Sequence, residues 1–200
     1  MRIARRRRKW HRLPPVAVVD LDGFAEAIDP AKLDPAQFVQ LVETLDMLGD
    51  AGTGIDLAGM RTETFLRFLA RATRAQLDAL TTHPHLRHVV FTEVFRRMSD
   101  HLAPDRAAGL RAVLHWRFTG GAGEDGYDRF ETVIANGRCT SGDEPTDDPR
   151  VTITIAPVDF LRAVIGAVSL PMLFLSSKVK VKGDIAFAAT LIDYFDLPRP

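Results

Sequence analysis

Near residue 110 the spacing of apolar residues changes, and that change constrains the fold more than any other feature of the chain. Before it, apolar residues recur every three or four positions, as on one face of a helix; after it they alternate, as on one face of a strand. Phe38, Leu41, Val42, Leu45 and Leu48 predict an amphipathic helix over about 35–48. A second helix starts near Thr62 and carries Phe65, Leu66, Phe68, Leu69, Leu77 and Leu80 inward. Thr82 and Pro84 close it and open a third, with Leu86, Val89, Val90, Val94, Phe95, Met98 and Leu102 on one side. The glycines of GDAGTGIDLAG mark the loop between the first two.

Past the change, Leu114, Trp116 and Phe118 alternate with His115, Arg117 and Thr119, which predicts a half-buried strand with His115 simply exposed. Phe130, Thr132 and Ile134 repeat the pattern, and Asn136-Gly137 signals a tight hairpin into the next strand. VTITI at 151–155 is a further strand, ended by Ala156-Pro157. A helix carrying Phe160, Leu161, Val164, Ile165 and Val168 follows, then the Met172–Leu175 tract. In SSKVKVKGDIAFAATLIDYF, Lys178, Lys180 and Lys182 share one face of a strand and Val179 and Val181 the other. Gly183-Asp184 turns the chain into a last helix. Hairpins outnumber crossovers, so the expected architecture is α+β, with a largely antiparallel sheet and helices over one face.

The last helix raises a question of function. Ile185, Ala188, Ile192 and Phe195 form one apolar stripe, and Phe187, Leu191 and Tyr194 form another, leaving Ala186, Thr190 and Asp193 for water. A helix lying on a sheet needs one stripe. The second calls for another helix of the same chain, a partner chain or an apolar ligand.

Composition narrows the classes. With 26 basic and 26 acidic residues the formal net charge is zero, so no global field draws the chain to nucleic acid or membrane. The basic run RIARRRRKWHR is read as part of a flexible arm over residues 1–30 that needs no nucleic-acid partner, and the short, proline-broken LPPVAVV after it does not resemble a signal peptide. A helical extension is expected over 31–85. AVIGAVSLPMLFL at 163–175 is too short to span a bilayer. Cys139 stands alone, which excludes an intrachain disulfide and suits a cytoplasmic setting.

The order of elements from about Leu86 to Leu197 resembles the sterol carrier protein-2 family of lipid-binding domains. The matching blocks are VFRRMSDHL, AVLHWRFTGG, YDRFETVIANGRCTSGDE, VTITIAPVDFLRAVIG and LFLSSKVKVKGDIAFAATLIDYF. The resemblance implies a five-stranded sheet with helices over one face, residues 86–200 forming the domain, and a tunnel for an acyl chain, acyl-CoA, sterol or isoprenoid-like lipid. Carried over by position, it implies a lining of Phe160, Val164 and Val168, then Leu173 and Phe174, then Ile185, Phe187, Ala188 and Leu191, over a floor of Trp116 and Phe118. Leu170-Pro171 and Tyr194 are bulky for a roomy tunnel. The implied role is carriage without catalysis, metal or cofactor. An interaction module, a homodimer, or an accessory to an enzyme acting on apolar substrates stays open. The lysines at 178, 180 and 182 fit either a solvated strand face or a transient contact with an anionic membrane.

Two signals in the sequence point elsewhere. VAVVDLDGF resembles the first motif of haloacid-dehalogenase-type phosphatases, with Asp20 as nucleophile and Asp22 as general acid; HVVFT at 88–92 and GDEPTDD at 142–148 would follow. That fold needs each motif at the end of a buried parallel strand, whereas HVVFT lies in a helical pattern and GDEPTDD follows the polar NGRCTS. An Asp-Gly turn accounts for Asp20 and Asp22. In the cluster of His83, His85 and His88, the last two are three apart and could share a metal, or simply belong to a solvated helix start.

Overall fold

The computed structural model describes residues 20–53, 56–123 and 125–199. Five helices come first: α1 (Leu21–Ala27), α2 (Pro35–Asp50), α3 (Thr62–Arg71), α4 (Arg74–Thr82) and α5 (Pro84–Asp100), followed by the single turn α6 (Pro104–Ala107). Strands β1 (Arg111–Thr119), β2 (Tyr127–Ala135), β3 (Arg138–Gly142) and β4 (Val151–Ile155) lead to α7 (Pro157–Val164) and α8 (Leu170–Leu175). Strand β5 (Val179–Gly183) and α9 (Ile185–Thr190) close the fold, with a 3-10 turn at Leu191–Tyr194.

The five strands lie in the order β3-β2-β1-β4-β5. The sheet is mixed: β1 pairs parallel with β4, Trp116 opposite Ile153, and the other three pairings are antiparallel. Asn136 and Gly137 both take positive φ, 54° and 70°, as a tight two-residue hairpin requires. The inward row of Leu114, Trp116, Phe118, Phe130, Ile134, Ile153 and Ile155 is buried under the helices, while Lys180 and Lys182 stand exposed on the opposite face.

Helix α5 explains how the two halves join. It leaves the stripe of His85, His88, Thr92, Arg96 and Asp100 to water and buries most of its remaining surface, including Arg87, Glu93 and Arg97, as a helix packed on two sides must. The Arg97 guanidinium donates to the carbonyls of Leu57 (2.6 Å) and Met60 (2.8 Å) and lies 4.4 Å over the Phe65 ring. One apolar core runs from Leu21 to Phe195, and α3 and α4 pack against α7. A division at 85/86 would fall in the first turn of α5.

Three expectations need correction. The segment read as arm is folded from residue 20 on: Asp20 caps α1 by accepting from the Gly23 N–H, and Leu21 and Ala25 are buried; residues 1–19 lie outside the described residues. The helix read from Thr62 to Leu80 is two helices, because Thr73 and Gln76 form a reciprocal capping box that starts α4. The last helix ends after six residues and tightens into the 3-10 turn, leaving Ile185 and Ile192 about half exposed instead of buried.

Candidate apolar cavity

Phe91, Phe95, Trp116, Phe118, Phe130 and Phe160 interlock beneath α5, with ring centroids 4.3 Å apart for Phe91–Phe118 and 4.9 Å for Phe118–Phe160. That cluster fills the interior on the α5 side. Open space survives beyond it, where α7, α8 and α9 are short and cannot close over the sheet.

Two adjoining cavities occupy that region. The larger, about 740 Å³, reaches from Met98, Trp116 and Phe160 past Val164 and Val168 to Leu191 and Phe195. The smaller, about 270 Å³, lies between Phe174 and Leu175 of α8, Val179 and Val181 of β5, and Ile185 and Ala188 of α9, with Ile153 behind. Leu170, Pro171 and Ala189 line both, so the bulk noted in the sequence stands at the junction. Charge is confined to one end. Asp193 and Arg199 border the larger cavity and continue into a recess of about 490 Å³ where Arg106 pairs with Asp196.

Local sequence sets this layout. Gly166, at φ 73°, releases the chain from α7, and Ser169 starts α8 by accepting from the Met172 N–H. At the corner into α9, Gly183 has φ 100°, and a Cβ there would lie 2.4 Å from the Arg150 carbonyl oxygen. Asp184 then caps α9: the Phe187 N–H and the Arg150 guanidinium, at 2.9 and 2.7 Å, hold its carboxyl below the ordinary range.

Of the lining residues named from sequence, Trp116, Phe160, Val164, Val168 and Leu191 border the larger cavity, and Phe174, Ile185 and Ala188 the smaller. Phe118, Leu173 and Phe187 border neither. Phe118 belongs to the aromatic cluster, Leu173 is buried beneath α8, and Phe187 packs under Arg150, 4.3 Å from its guanidinium carbon. Leu170 and Pro171, read from sequence as bulk against the tunnel, instead line both cavities, and Ala189 was missed, although this small residue next to Ala188 is a cue to space.

The rival readings have structural explanations. Asp22 accepts from the Arg61 N–H and meets its guanidinium at 3.0 Å. Residues 88–92 lie within α5, and GDEPTDD leaves the edge strand β3. His85 meets Asp46 at 2.6 Å and His88 lies 3.7 Å from Asp143, and no group of three or more potential metal ligands forms among the described residues. Nor is any helix among them long and apolar enough to cross a membrane.

Comparison with known proteins identifies the class. The model of the SCP-2 sterol transfer family matches residues 91–196, more than half of the chain, and the chain belongs to that family, whose domains bind or transfer lipids. Hydroxysteroid dehydrogenase-like protein 2 of Rattus norvegicus is 32% identical over 114 residues, which are 57% of this chain and 21% of that protein. The Homo sapiens protein is 29% identical over 114 residues, with 57% and 27% covered. The chain therefore spans about a quarter or less of the length of these relatives. Among solved structures, sterol carrier protein 2 like 2 of Aedes aegypti aligns with a TM-score of 0.41 at 16% identity, over 53% of this chain and 93% of that one. The sec-alkylsulfatase Pisa1 of Pseudomonas sp. aligns with a TM-score of 0.46 at 17% identity, over 93% and 33%.

Proposed function

We propose that this chain binds one hydrophobic ligand, an acyl chain, acyl-CoA, sterol or isoprenoid-like lipid, in the paired cavities between the sheet and α7–α9, and that it carries the ligand without converting it. The observation that carries this reading is the apolar lining itself: a space of about 740 Å³ continued by one of about 270 Å³, with charged side chains only at one mouth. Sites of ~300–1,000 Å³ with a few polar groups at the rim suit single small ligands. Burying about ten methylenes contributes roughly 8 kcal/mol before association costs, so a covalent step is not needed to retain a lipid. Arg199 and Arg106 stand where an anionic head group would emerge. Family membership supports the lipid class.

The test is titration of a fluorescent fatty acid, with native mass spectrometry on the gently purified chain. One ligand per chain is expected, and Val164→Trp, which fills half-buried space at the cavity wall, should weaken uptake at least tenfold while thermal stability holds. A wild-type chain that neither carries nor takes up any apolar molecule overturns the reading.

A second reading makes the domain an accessory that presents apolar substrates to an enzyme. It is favoured by the curated relatives, which are several times longer than the matched segment and whose name refers to hydroxysteroid dehydrogenase. Co-purification with a dehydrogenase, and substrate turnover that rises when the loaded chain is added, would support it.

A further inference from the structure

Among the described residues the large apolar side chains left exposed are Phe24, Met47, Met172, Phe174, Leu175, Ile185 and Ile192. Single exposed apolar residues need no explanation, whereas a group around an opening does. Five of these seven come from α8, α9 and the turn after it. Leu175 is 79% exposed, Met172 58% and Ile185 54%. Phe174, Leu175 and Ile185 also line the smaller cavity, so the group is the rim of an entrance.

Charge at this edge is one-sided. From Leu170 to Gly183 the chain holds Lys178, Lys180 and Lys182 and no acidic residue, in a molecule whose net charge is zero, and Asp184 at the start of α9 is neutralised by Arg150 at 2.7 Å. Lys178 is held against the end of α8, its N–H donating to the Leu173 carbonyl at 2.9 Å. Lys180 and Lys182 project from β5, an outermost strand of the sheet, while Val179 and Val181 of the same strand line the cavity. Cations and apolar rim thus flank the same edge of the molecule. The opposite mouth lacks this pairing, since Asp193 and Asp196 lie there beside the arginines.

We infer that the edge formed by α8, β5 and the start of α9 docks on an anionic lipid bilayer, and that ligand enters and leaves through the smaller cavity while the edge is seated. Met172 and Leu175 enter the acyl layer, and the lysines meet the anionic head groups. The docking stands on the surface alone; the passage of ligand rests on the lipid-binding reading above.

The experiment compares vesicles of phosphatidylcholine with vesicles that also contain phosphatidylserine, using the full chain. Co-sedimentation should require phosphatidylserine and weaken with salt. Replacing Lys178, Lys180 and Lys182 together by Ala should lower the apparent affinity about a hundredfold, at ~1 kcal/mol per cation. Met172→Asp, at a rim position that is exposed and lines neither cavity, should lower it at least tenfold, and Met47→Asp, at an exposed position on α2, should leave it unchanged. Both rim variants should still take up a fluorescent fatty acid from solution but exchange it slowly with anionic vesicles. Equal binding to both vesicle types, or vesicle binding indifferent to both rim variants, overturns the docking surface. So does a wild-type dimer in light scattering that Met172→Asp dissolves, because a second copy then occupies the patch. A chain that binds anionic vesicles through the rim yet takes up no fatty acid leaves the docking intact and removes the lipid-carrier reading instead.

Discussion

Glu131 shows how much a single side chain can hold. It is buried on the helix-free face of the sheet, where the segment 143–150 passes between β3 and β4. The N–H groups of Thr146 and Asp147 donate to it at 3.1 and 3.0 Å, and His115 lies 3.2 Å away. Burial alone would raise its pKa; these partners outweigh burial and hold it below the ordinary range. Because the folded value is the lower one, the stability it contributes is complete above the ordinary carboxylate range and is lost as pH falls through the folded value. Glu131→Leu should therefore cost about 2 kcal/mol near neutral pH by leaving two buried donors unpaired. Urea titrations should show that deficit shrinking as the pH drops below about 4. His115 was legible as facing away from the core but not as a partner, because the loop that buries Glu131 comes from residues far along the chain. Arg97 was equally hidden, since nothing in its helical spacing reveals that Leu57 and Met60 offer it carbonyls. Arg97→Met should lower the denaturation midpoint by the equivalent of about 3 kcal/mol, more than a surface arginine would, by orphaning those acceptors and leaving Glu93 with only Arg96.

Elements were legible where one strong period ran unbroken. The strands from Leu114, Phe130 and Val151 were readable because a sheet covered on one face enforces alternation, and the Asn136-Gly137 hairpin because only a few residues tolerate two positive φ values. The parallel pairing of β1 with β4 was not readable: the segment that crosses the open face carries no helix, and so no helical period to mark it. The break between α3 and α4 was available in Thr73 and Gln76, but Leu77 and Leu80 return in helical phase with Leu66 and Leu69, about three turns on, and so hide it. The cavity was readable as a position, between the helix after VTITI and the last helix, though not as a list of contacts, since whether Phe118 or Leu170 meets open space depends on packing. The corner that aims α9 gives the test at this scale. Gly183→Ala places a Cβ against the Arg150 carbonyl at a positive φ that L residues avoid. It should cost about 2 kcal/mol or more by chemical denaturation. It should also weaken fatty-acid uptake, because Ile185 and Ala188 shift with the corner, whereas Gly109→Ala, where nothing lies within 4 Å of the added Cβ, should do neither.

At the scale of the molecule, the helical extension and the family-matching region share a single interior. Phe38 stacks on Phe68 at 5.6 Å within the extension, while α3 and α4 cover the side of α7 that faces away from the sheet. Helix α7 carries part of the cavity wall, so the extension braces the site without touching it. Arg97, through the carbonyls of Leu57 and Met60, and Arg74 of α4, 3.9 Å from Asp159 of α7, tie the layers with polar contacts that lose their partners if the layers part. A chain built this way should open as one unit, not as an extension that frays from a stable lipid-binding core. Hydrogen exchange decides it. Amides of α3 and of β1 should share one opening free energy and one denaturant dependence. Arg97→Met should lower both by the same amount, since a contact at the seam stabilises each side only through the other. Protection in β1 that outlasts α3 by more than about 2 kcal/mol would instead mark two separable units, and α7, with one face then bare to water, would be expected to loosen the cavity wall in the shorter fragment.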